Sequence, residues 1–196
     1  MLVAVKWFFT LSWLTFSLLW GVRYALLRKG RKYAKARNPA DRNLRYKYIS
    51  YLVYLAQIFL IIPMFWLNSA ALLKFHSSDL TRFIGLVLCF LGLALSTYAL
   101  KHLGRNYSPC FDAHVPFQLV STGPYRFIRH PGWLAKIFTG VGGVLVSGSW
   151  WFMPVLLWLL IEMRRTIRAE EKYLLMAFPE FADYRRRTRY LIPFIC

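Results

Sequence analysis

Two short elements of this chain, Arg129-His130-Pro131 and Glu170-Glu171, carry residue types and spacing suited to chemistry. A histidine with two carboxylates can act in acid–base catalysis, and the same carboxylates can bind a cation. Both elements lie just outside long uncharged runs. Ionisable groups beside membrane segments are costly enough to suggest a function by default. The sequence therefore predicts one functional site at the surface of a membrane.

The elements that must position this site are long apolar segments. Of the 196 residues, 58% are hydrophobic, and they form continuous blocks without the periodicity of a soluble domain. About 20 apolar residues cross a bilayer as one helix. We therefore predict an all-α integral membrane protein, a single polytopic domain over residues 1–196. Its five predicted transmembrane helices cover about residues 4–27, 48–73, 82–100, 131–147 and 150–163.

The basic residues predict the orientation of these helices. The chain has 26 Lys and Arg against 8 Asp and Glu, and 23 of the 26 lie within residues 23–47, 101–136 and 164–189. The positive-inside rule places these three segments in the cytosol, with the N-terminus outside and the C-terminus inside. Since the charge lies beside membrane segments, it favours membrane lipids over nucleic acid as the partner.

The last apolar block, residues 137–161, is predicted to be a helical hairpin. Residues 147–149 (Ser-Gly-Ser) interrupt it, and a hairpin returns the basic C-terminal segment to the cytosol. Arms of about 15 residues are short for a full crossing, so we expect them to tilt or to stop part-way. Small residues that let helix backbones approach closely are Gly92, Gly140, Gly142 and Gly143.

The catalytic cytosolic region is predicted to comprise residues 101–133 and 162–196. Within it, the 101–132 loop and the C-terminal helix are expected to form a cofactor pocket at the two feet of the hairpin. Residues 122–124 (Thr-Gly-Pro) are typical of a turn, and Pro131 is well placed in the first turn of a helix.

A purely structural role is the alternative for each site residue taken alone. Arg129 and His130 would then lie at lipid head groups, and Arg168 would form an i, i+3 surface ion pair with Glu171. These explanations leave unexplained why two of the chain's eight acids are adjacent within a basic segment. The cysteines Cys89, Cys110 and Cys196 have no CxxC spacing, so neither a disulfide framework nor a metal site is predicted.

Together these residues resemble the isoprenylcysteine carboxyl methyltransferase family, and five helices fit its prokaryotic members. The resemblance covers roughly residues 101–196. The matching residues are Gly123-Pro124-Tyr125, Arg129-His130-Pro131, Glu170-Glu171, Phe178, Tyr184 and Pro193-Phe194, together with the aromatic character of Trp133. The chain departs from the family pattern at Phe117, Trp133, Ala135 and Pro179, where the family usually has His, Tyr, Gly and Gly. These departures concern the acceptor more than the reaction class.

The resemblance implies transfer of a methyl group from S-adenosylmethionine to the carboxylate of a lipidated (isoprenyl) cysteine or a similar lipophilic acceptor. The acceptor would enter from the bilayer and the cofactor from the cytosol, with no obligate protein partner. Aromatic rings attract sulfonium cations, and a carboxylate can pair with the cofactor's ammonium. The implied cofactor-binding residues are Gln118, Leu119, Val120, Gly123, Tyr125, His130, Pro131, Gly132, Trp133, Glu170 and Glu171.

The catalytic residues implied by the resemblance are Arg165, Glu170 and Arg168. A carboxylate acceptor is already ionised at pH 7, so the reaction needs alignment and removal of water rather than proton abstraction. His130 is therefore assigned to binding. An arginine clamp would orient the acceptor carboxylate, with Arg165 as the first choice and Arg168 and Arg164 as alternatives.

Three other functions fit parts of the pattern. Phospholipid (amine) methyltransferases share the Arg-His-Pro and paired-Glu elements, and some sterol-type NADPH-dependent membrane reductases carry a similar Arg-His-Pro motif. The chain has no GxGxxG sequence, although membrane reductases need not carry one. A non-enzymatic scaffold would leave the coincidence of both elements unexplained. Binding of S-adenosylhomocysteine without NADPH would separate the transferases from the reductase.

Overall fold

The computed structural model describes residues 78–106, 118–150 and 153–191. The predicted spans 4–27 and 48–73 lie outside these residues. The described chain contains four α-helices: α1 (Asp79–Leu103), α2 (Pro131–Ser147), α3 (Met153–Ala177) and α4 (Phe181–Arg187). The predicted all-helical architecture is confirmed for this part of the chain.

Helix α1 has the length and composition of a membrane span. It has 25 residues with a mean hydropathy of 2.2, and it is the one helix among the described residues that is long and apolar enough to cross a bilayer. Ser78 caps its start by accepting the Thr81 amide at 3.1 Å. Large apolar side chains such as Leu80, Phe83 and Phe90 are more than 60% exposed, as expected of a lipid-facing surface. The number of spans in the whole chain stays a prediction.

Helices α1 and α2 pack with their backbones close together because glycines line the contact. A Cβ added at Gly142 would lie 2.6 Å from the carbonyl oxygen of Gly85 and from the Sγ of Cys89. One added at Gly92 would lie 2.5 Å from Thr139 Oγ1. Small residues therefore set this helix–helix distance, as predicted for Gly92 and Gly142.

Replacing Gly142 with valine is expected to force α1 and α2 apart. The added side chain would meet the backbone of Gly85 and Cys89, which cannot rotate away, and the half-buried sulfur of Cys89. We therefore expect a loss of at least about 2 kcal/mol of stability. Thermal unfolding in detergent measures this effect. Gly132→Ala is the matched control, since its Cβ meets nothing within 4 Å. Equal unfolding temperatures for the two variants would contradict the close packing.

The predicted break between the last two helices is present. Helix α2 ends at Ser147, and Gly148 adopts a left-handed conformation (φ 59, ψ 33) that closes the helix by donating to Val144. At about 1.5 Å per residue, the 17 residues of α2 span about 25 Å. Whether these two helices enter the bilayer as a hairpin stays a prediction.

Helix α3 continues well past its predicted apolar segment, residues 150–163. It reaches Ala177, because the Glu, Arg, Lys, Leu and Met residues after Ile161 are good helix formers. Phe178 and Pro179 end it, and the chain turns back into α4. Ile167 of α3 and Phe181 of α4 are at most 1% exposed. Each of these two helices therefore buries an apolar side chain, and α4 packs against α3.

Candidate active site

The loop before α2 is a tight turn that the end of α1 supports. Residues Gly123–Arg126 form a 3-10 turn, and Gly123 has a positive φ of 59°. A Cβ at this position would collide with the ring of His102, the penultimate residue of α1. The His102 ring is held by a 3.0 Å contact from Nδ1 to the Tyr98 carbonyl oxygen. Gly123 is thus required both by its backbone conformation and by the approach of α1.

The Arg-His-Pro element and the paired glutamates meet in space, as the sequence predicted. Arg129 Nε donates to Glu171 Oε1 at 2.8 Å, and His130 Nε2 lies 3.1 Å from the same oxygen. His130 Nδ1 lies 3.7 Å from Glu170 Oε2. Because an ionised carboxylate only accepts hydrogen bonds, Nε2 of His130 carries the proton in this arrangement.

A position at lipid head groups and a surface ion pair with Arg168, the two structural alternatives, do not describe these residues. His130 is 6% exposed and the Arg129 side chain 10%, so neither lies free at lipid head groups. The Glu171 side chain is also 10% exposed, and its ion-pair partners are Arg129 and Arg185, at 2.8 and 3.6 Å. A surface pair with Arg168 one turn away therefore does not account for Glu171.

Arg129 is the residue of the site whose role the sequence did not reveal. Its Nη1 donates to the carbonyl oxygens of Arg185, at 3.0 Å, and Thr188, both at the end of α4. Its backbone amide donates to Arg189 O at 2.8 Å, within the bridge between Ile128 and Arg189. Arg129 therefore ties the loop, α3 and the C-terminal arm (residues 181–190) together.

The two glutamates have different environments. Glu170 is half-exposed, with 51% of its side chain accessible, whereas Glu171 is buried. Burial by itself raises the pKa of Glu171, but hydrogen bonds from His130 and Arg129 and their charges outweigh it and lower the pKa to about 2. Glu171 is therefore an internal, permanently ionised anchor, and Glu170 is the carboxylate that a ligand can reach.

Protonating Glu171 is expected to destabilise the folded protein. Its folded pKa of about 2 lies below the ordinary value of 4.5, so its contribution is present above pH 4.5 and lost as the pH falls towards 2. The difference corresponds to about 3 kcal/mol, at about 1.4 kcal/mol for each pH unit. Unfolding free energies measured from pH 6 to pH 2 should show this loss. A Glu171→Gln variant should lose much less stability over the same range, and an identical pH profile would contradict this assignment.

Two tyrosines of the C-terminal arm, Tyr184 and Tyr190, contact the loop before α2. Tyr184 donates its hydroxyl to the Tyr125 carbonyl oxygen at 2.7 Å. Burial raises the pKa of Tyr184 to about 12, so this phenol stays a hydrogen-bond donor. The Tyr190 ring lies edge-on to His130 at 5.6 Å and 5.8 Å from the Arg129 guanidinium carbon. Tyr190 and Arg185 were missed from the sequence because their place depends on how the arm folds back.

A cavity of about 490 Å³ lies between α3 and this arm. Its lining residues are Met163, Arg164, Arg168, Glu171, Arg185 and Tyr190. Of the three candidate clamps, Arg164 and Arg168 face this cavity, whereas Arg165 is not part of the lining. Successive helical residues are about 100° apart, which places Arg165 away from the buried Met163, Ile167 and Glu171 side. Its catalytic role stays a prediction.

The remaining predicted cofactor-binding residues are spread over the loop before α2 and the start of that helix. Leu119 and Val120, which precede the turn, are half-buried. The backbone amide of Gln118 donates to Asn106 Oδ1 at 3.1 Å. Pro131 and Gly132 form the first turn of α2. Trp133 already has a cation over its ring, since Lys136 Nζ lies 4.0 Å from the centroid. That contact shows that the ring accepts cations, but a ligand would have to use another face or displace the lysine.

The chain that forms this site matches a known protein family. The model of the family described as phospholipid methyltransferase matches residues 80–180, just over half of the 196 residues. The chain belongs to the phospholipid methyltransferase family. This group of integral membrane proteins includes the isoprenylcysteine methyltransferases and uses S-adenosylmethionine as methyl donor. The family match includes both Arg129-His130-Pro131 and Glu170-Glu171.

Members of the phospholipid methyltransferase family that resemble this chain have different names. Over 126 residues it is 29% identical to protein-S-isoprenylcysteine O-methyltransferase of Saccharomyces cerevisiae, covering 61% of this chain and 52% of that protein. Over 110 residues it is 33% identical to cobalt-zinc-cadmium resistance protein CzcN of Cupriavidus metallidurans, covering 55% and 49%. The chain thus spans about half the length of these curated relatives.

A solved structure supports the fold of this family member. The structure is that of the eukaryotic intramembrane Ras methyltransferase ICMT, isoprenylcysteine carboxyl methyltransferase. It aligns with a TM-score of 0.53 at 18% identity, covering 88% of this chain and 60% of that chain. At this identity the likeness concerns the helical fold alone.

Proposed function

We propose that this protein transfers a methyl group from S-adenosylmethionine to a carboxylate on a lipophilic acceptor such as an isoprenylated cysteine. The proposal rests on the different environments of the two glutamates, one buried in ion pairs and one accessible to a ligand. Glu171 is buried by Arg129 and His130, and this leaves the half-exposed Glu170 beside a buried histidine. An accessible carboxylate beside His130 suits the ammonium of the cofactor's amino acid end.

The residues present fit this cofactor in part. Glu170 offers the carboxylate, and the turn of Gly123 and Tyr125 offers backbone groups and an aromatic ring. Burial raises the pKa of Tyr125, and the negative charge of Glu170 adds to this effect. Leu119 and Val120 offer an apolar surface for adenine. When bound, S-adenosylmethionine supplies an electrophilic methyl group on a sulfonium. Trp133 fits less well because Lys136 occupies one of its faces.

The protein's own contribution would be binding, orientation and exclusion of water. The acceptor carboxylate is ionised at neutral pH and needs no base, so alignment of the reacting atoms dominates. His130 is therefore assigned to binding, and its Nε2 proton is engaged with Glu171. An arginine that holds the acceptor carboxylate would supply the orientation. Arg165 is the clamp that the resemblance implies, and Arg164 and Arg168 are the candidates that face the cavity.

Methylation of a phospholipid amine is the second candidate, favoured by the description of the family that matches residues 80–180. The two reactions differ at the acceptor atom. A phospholipid amine must lose a proton to attack the methyl group, whereas a carboxylate need not. An amine acceptor would therefore require a base, and the nitrogen of His130 that is not engaged with Glu171, Nδ1, is the group beside the paired glutamates that could accept the proton.

Titration calorimetry of the detergent-solubilised protein tests the choice of cofactor. We expect S-adenosylhomocysteine to bind and NADPH not to bind. Binding of NADPH alone would favour a sterol-type reductase. Binding of neither compound would favour a protein without enzymatic activity and would contradict the proposal.

A further inference from the structure

His102, the penultimate residue of α1, lies against the loop that carries part of the predicted cofactor site. A Cβ built on Gly123 would lie 2.4 to 2.5 Å from three ring atoms of His102, namely Cγ, Cδ2 and Nε2. These are the three atoms nearest to that position. The histidine ring therefore occupies the space that a side chain at residue 123 would need. The sequence motifs of the site do not include His102.

The His102 ring is held in place by α1 itself. Its Nδ1 lies 3.0 Å from the carbonyl oxygen of Tyr98, one turn earlier. Because a carbonyl oxygen only accepts hydrogen bonds, Nδ1 carries the proton. The Tyr98 ring also packs edge-on against the imidazole, with 4.4 Å between the ring centroids. The helix ends at Leu103, where the Gly104 amide donates to the Leu100 carbonyl oxygen. The His102 ring is thus a fixed part of the last helical turn.

The turn before α2 is held from two sides. On one side, the Tyr184 hydroxyl of α4 donates to the Tyr125 carbonyl oxygen at 2.7 Å. On the other side, the backbone of Gly123 rests on the His102 ring. The turn therefore takes its position from the C-terminal arm and from the end of a predicted membrane span.

A displacement of this turn would reach the paired glutamates. Three residues after the turn, Arg129 Nε donates to Glu171 Oε1 at 2.8 Å. Glu170, the carboxylate that we assign to the cofactor, is the next residue in the chain. Groups that bind a ligand must be held to within about 0.5 Å of the productive geometry. The contact between α1 and the turn therefore affects how Gly123 and Tyr125 lie relative to Glu170.

We propose that His102 is a positioning residue for the cofactor and acts through the backbone of Gly123. Its ring holds the turn at the separation from Glu170 that S-adenosylmethionine requires. This inference rests on the proposed function, which assigns Gly123, Tyr125 and Glu170 to cofactor binding. Because a preformed support avoids the cost of ordering the turn on binding, the ring raises cofactor affinity. Loss of the ring lowers that affinity and leaves the KM for the acceptor unchanged.

Titration calorimetry with S-adenosylhomocysteine and the detergent-solubilised protein tests this role. His102→Ala removes the ring and should weaken binding at least about fivefold. His102→Phe keeps a ring beside Gly123 without the bond to Tyr98, and it should stay within about twofold of wild type. His102→Asn keeps a donor near the Nδ1 position but lacks the ring atoms that face Gly123, so it should resemble alanine. Lys101→Ala changes an exposed neighbour in the same helical turn and is the matched control.

A double-variant cycle with Gly123→Ala shows whether the contact is direct. In the wild-type background, the new Cβ would collide with the His102 ring and would also have to adopt a positive φ. In the His102→Ala background the collision is gone, and only the backbone cost remains. Gly123→Ala should therefore weaken binding at least about tenfold in the first background and clearly less in the second. Residues that do not touch would give equal losses in both backgrounds.

The kinetic constants separate positioning from a general loosening of the fold. His102→Ala should raise the KM for the cofactor while the KM for the acceptor keeps its wild-type value. An equal rise in both KM values, wild-type cofactor affinity in His102→Ala, or equal losses on the two sides of the cycle overturns this inference, and the proposed function stands.

Two further outcomes complete the test. If the melting temperature shows that His102→Ala is unfolded, the pair His102→Phe and His102→Asn decides. Affinity retained by phenylalanine and lost by asparagine supports the ring contact, whereas affinity retained by both or lost by both overturns it. Failure of the wild-type protein to bind S-adenosylhomocysteine overturns the proposed function and this inference together.

Discussion

Replacing Arg129 with alanine is expected to destabilise the protein by about 3–5 kcal/mol, the usual cost of removing one partner of a buried ion pair. The variant would leave the Glu171 carboxylate buried with one close partner fewer. It would also leave the carbonyl oxygens of Arg185 and Thr188 without their donor. The free energy of unfolding in mild detergent measures the effect, and loss of the C-terminal arm from the packed state should accompany it.

Three further variants show whether the ion pair itself is responsible. Arg126→Ala removes an exposed arginine of the same loop, whose contact is the Phe127 ring at 5.9 Å, so its effect should stay within about 0.5 kcal/mol. Arg129→Lys keeps the charge but not the fork of donors and should fall between wild type and alanine. Adding Glu171→Gln to Arg129→Ala should cost less than the sum of the two single changes. Wild-type stability in Arg129→Ala would contradict the central place given to this residue.

Replacing Glu170 with alanine is expected to weaken binding of S-adenosylhomocysteine at least about tenfold, because the cofactor's ammonium loses its carboxylate partner. Glu170 is 51% exposed, and its 3.7 Å contact with His130 is longer than the contacts that Glu171 makes with the loop, so the fold should survive the change. Titration calorimetry gives the affinity, and the melting temperature reports the fold. Under the same proposal, Arg165→Ala should keep cofactor affinity and lose turnover if Arg165 is the clamp.

The neighbouring acids provide the controls for Glu170. Glu180→Ala removes an exposed acid that makes no side-chain capping bond at the start of α4, and it should leave cofactor affinity unchanged. Glu171→Ala should lower both affinity and stability, because it disrupts the loop that carries His130. Wild-type affinity in Glu170→Ala would show that the cofactor's ammonium is held elsewhere.

Much of the helical framework follows from local sequence signals. Pro131 at the first position of α2 and Gly148 at its end mark the bounds of that helix, because proline lacks an amide hydrogen and glycine accepts a left-handed conformation. The meeting of His130 with the paired glutamates also followed from the charge topology, which places both elements on one side of the membrane. These inferences depend on neighbours in sequence or on a global rule.

The roles of individual charged residues depend on packing that local signals do not contain. Arg129 was noticed as part of a motif, yet its bonds reach Glu171, Arg185 and Thr188, between 42 and 59 residues away. One signal was present, since a buried carboxylate in a chain with few acids and many arginines requires a cationic partner. To choose among Arg164, Arg165 and Arg168, one must know which side of α3 faces the C-terminal arm, and residue spacing alone does not reveal it.

The most direct measurement of the central claim is transfer of a labelled methyl group from S-adenosylmethionine to a farnesylcysteine carboxylate, with base treatment of the product. We predict label in a base-labile methyl ester with the wild-type protein and none with Glu170→Ala. Label that appears only in a base-stable form on a phospholipid amine would contradict the carboxylate acceptor. Transfer by Glu170→Ala at the wild-type rate would contradict the site.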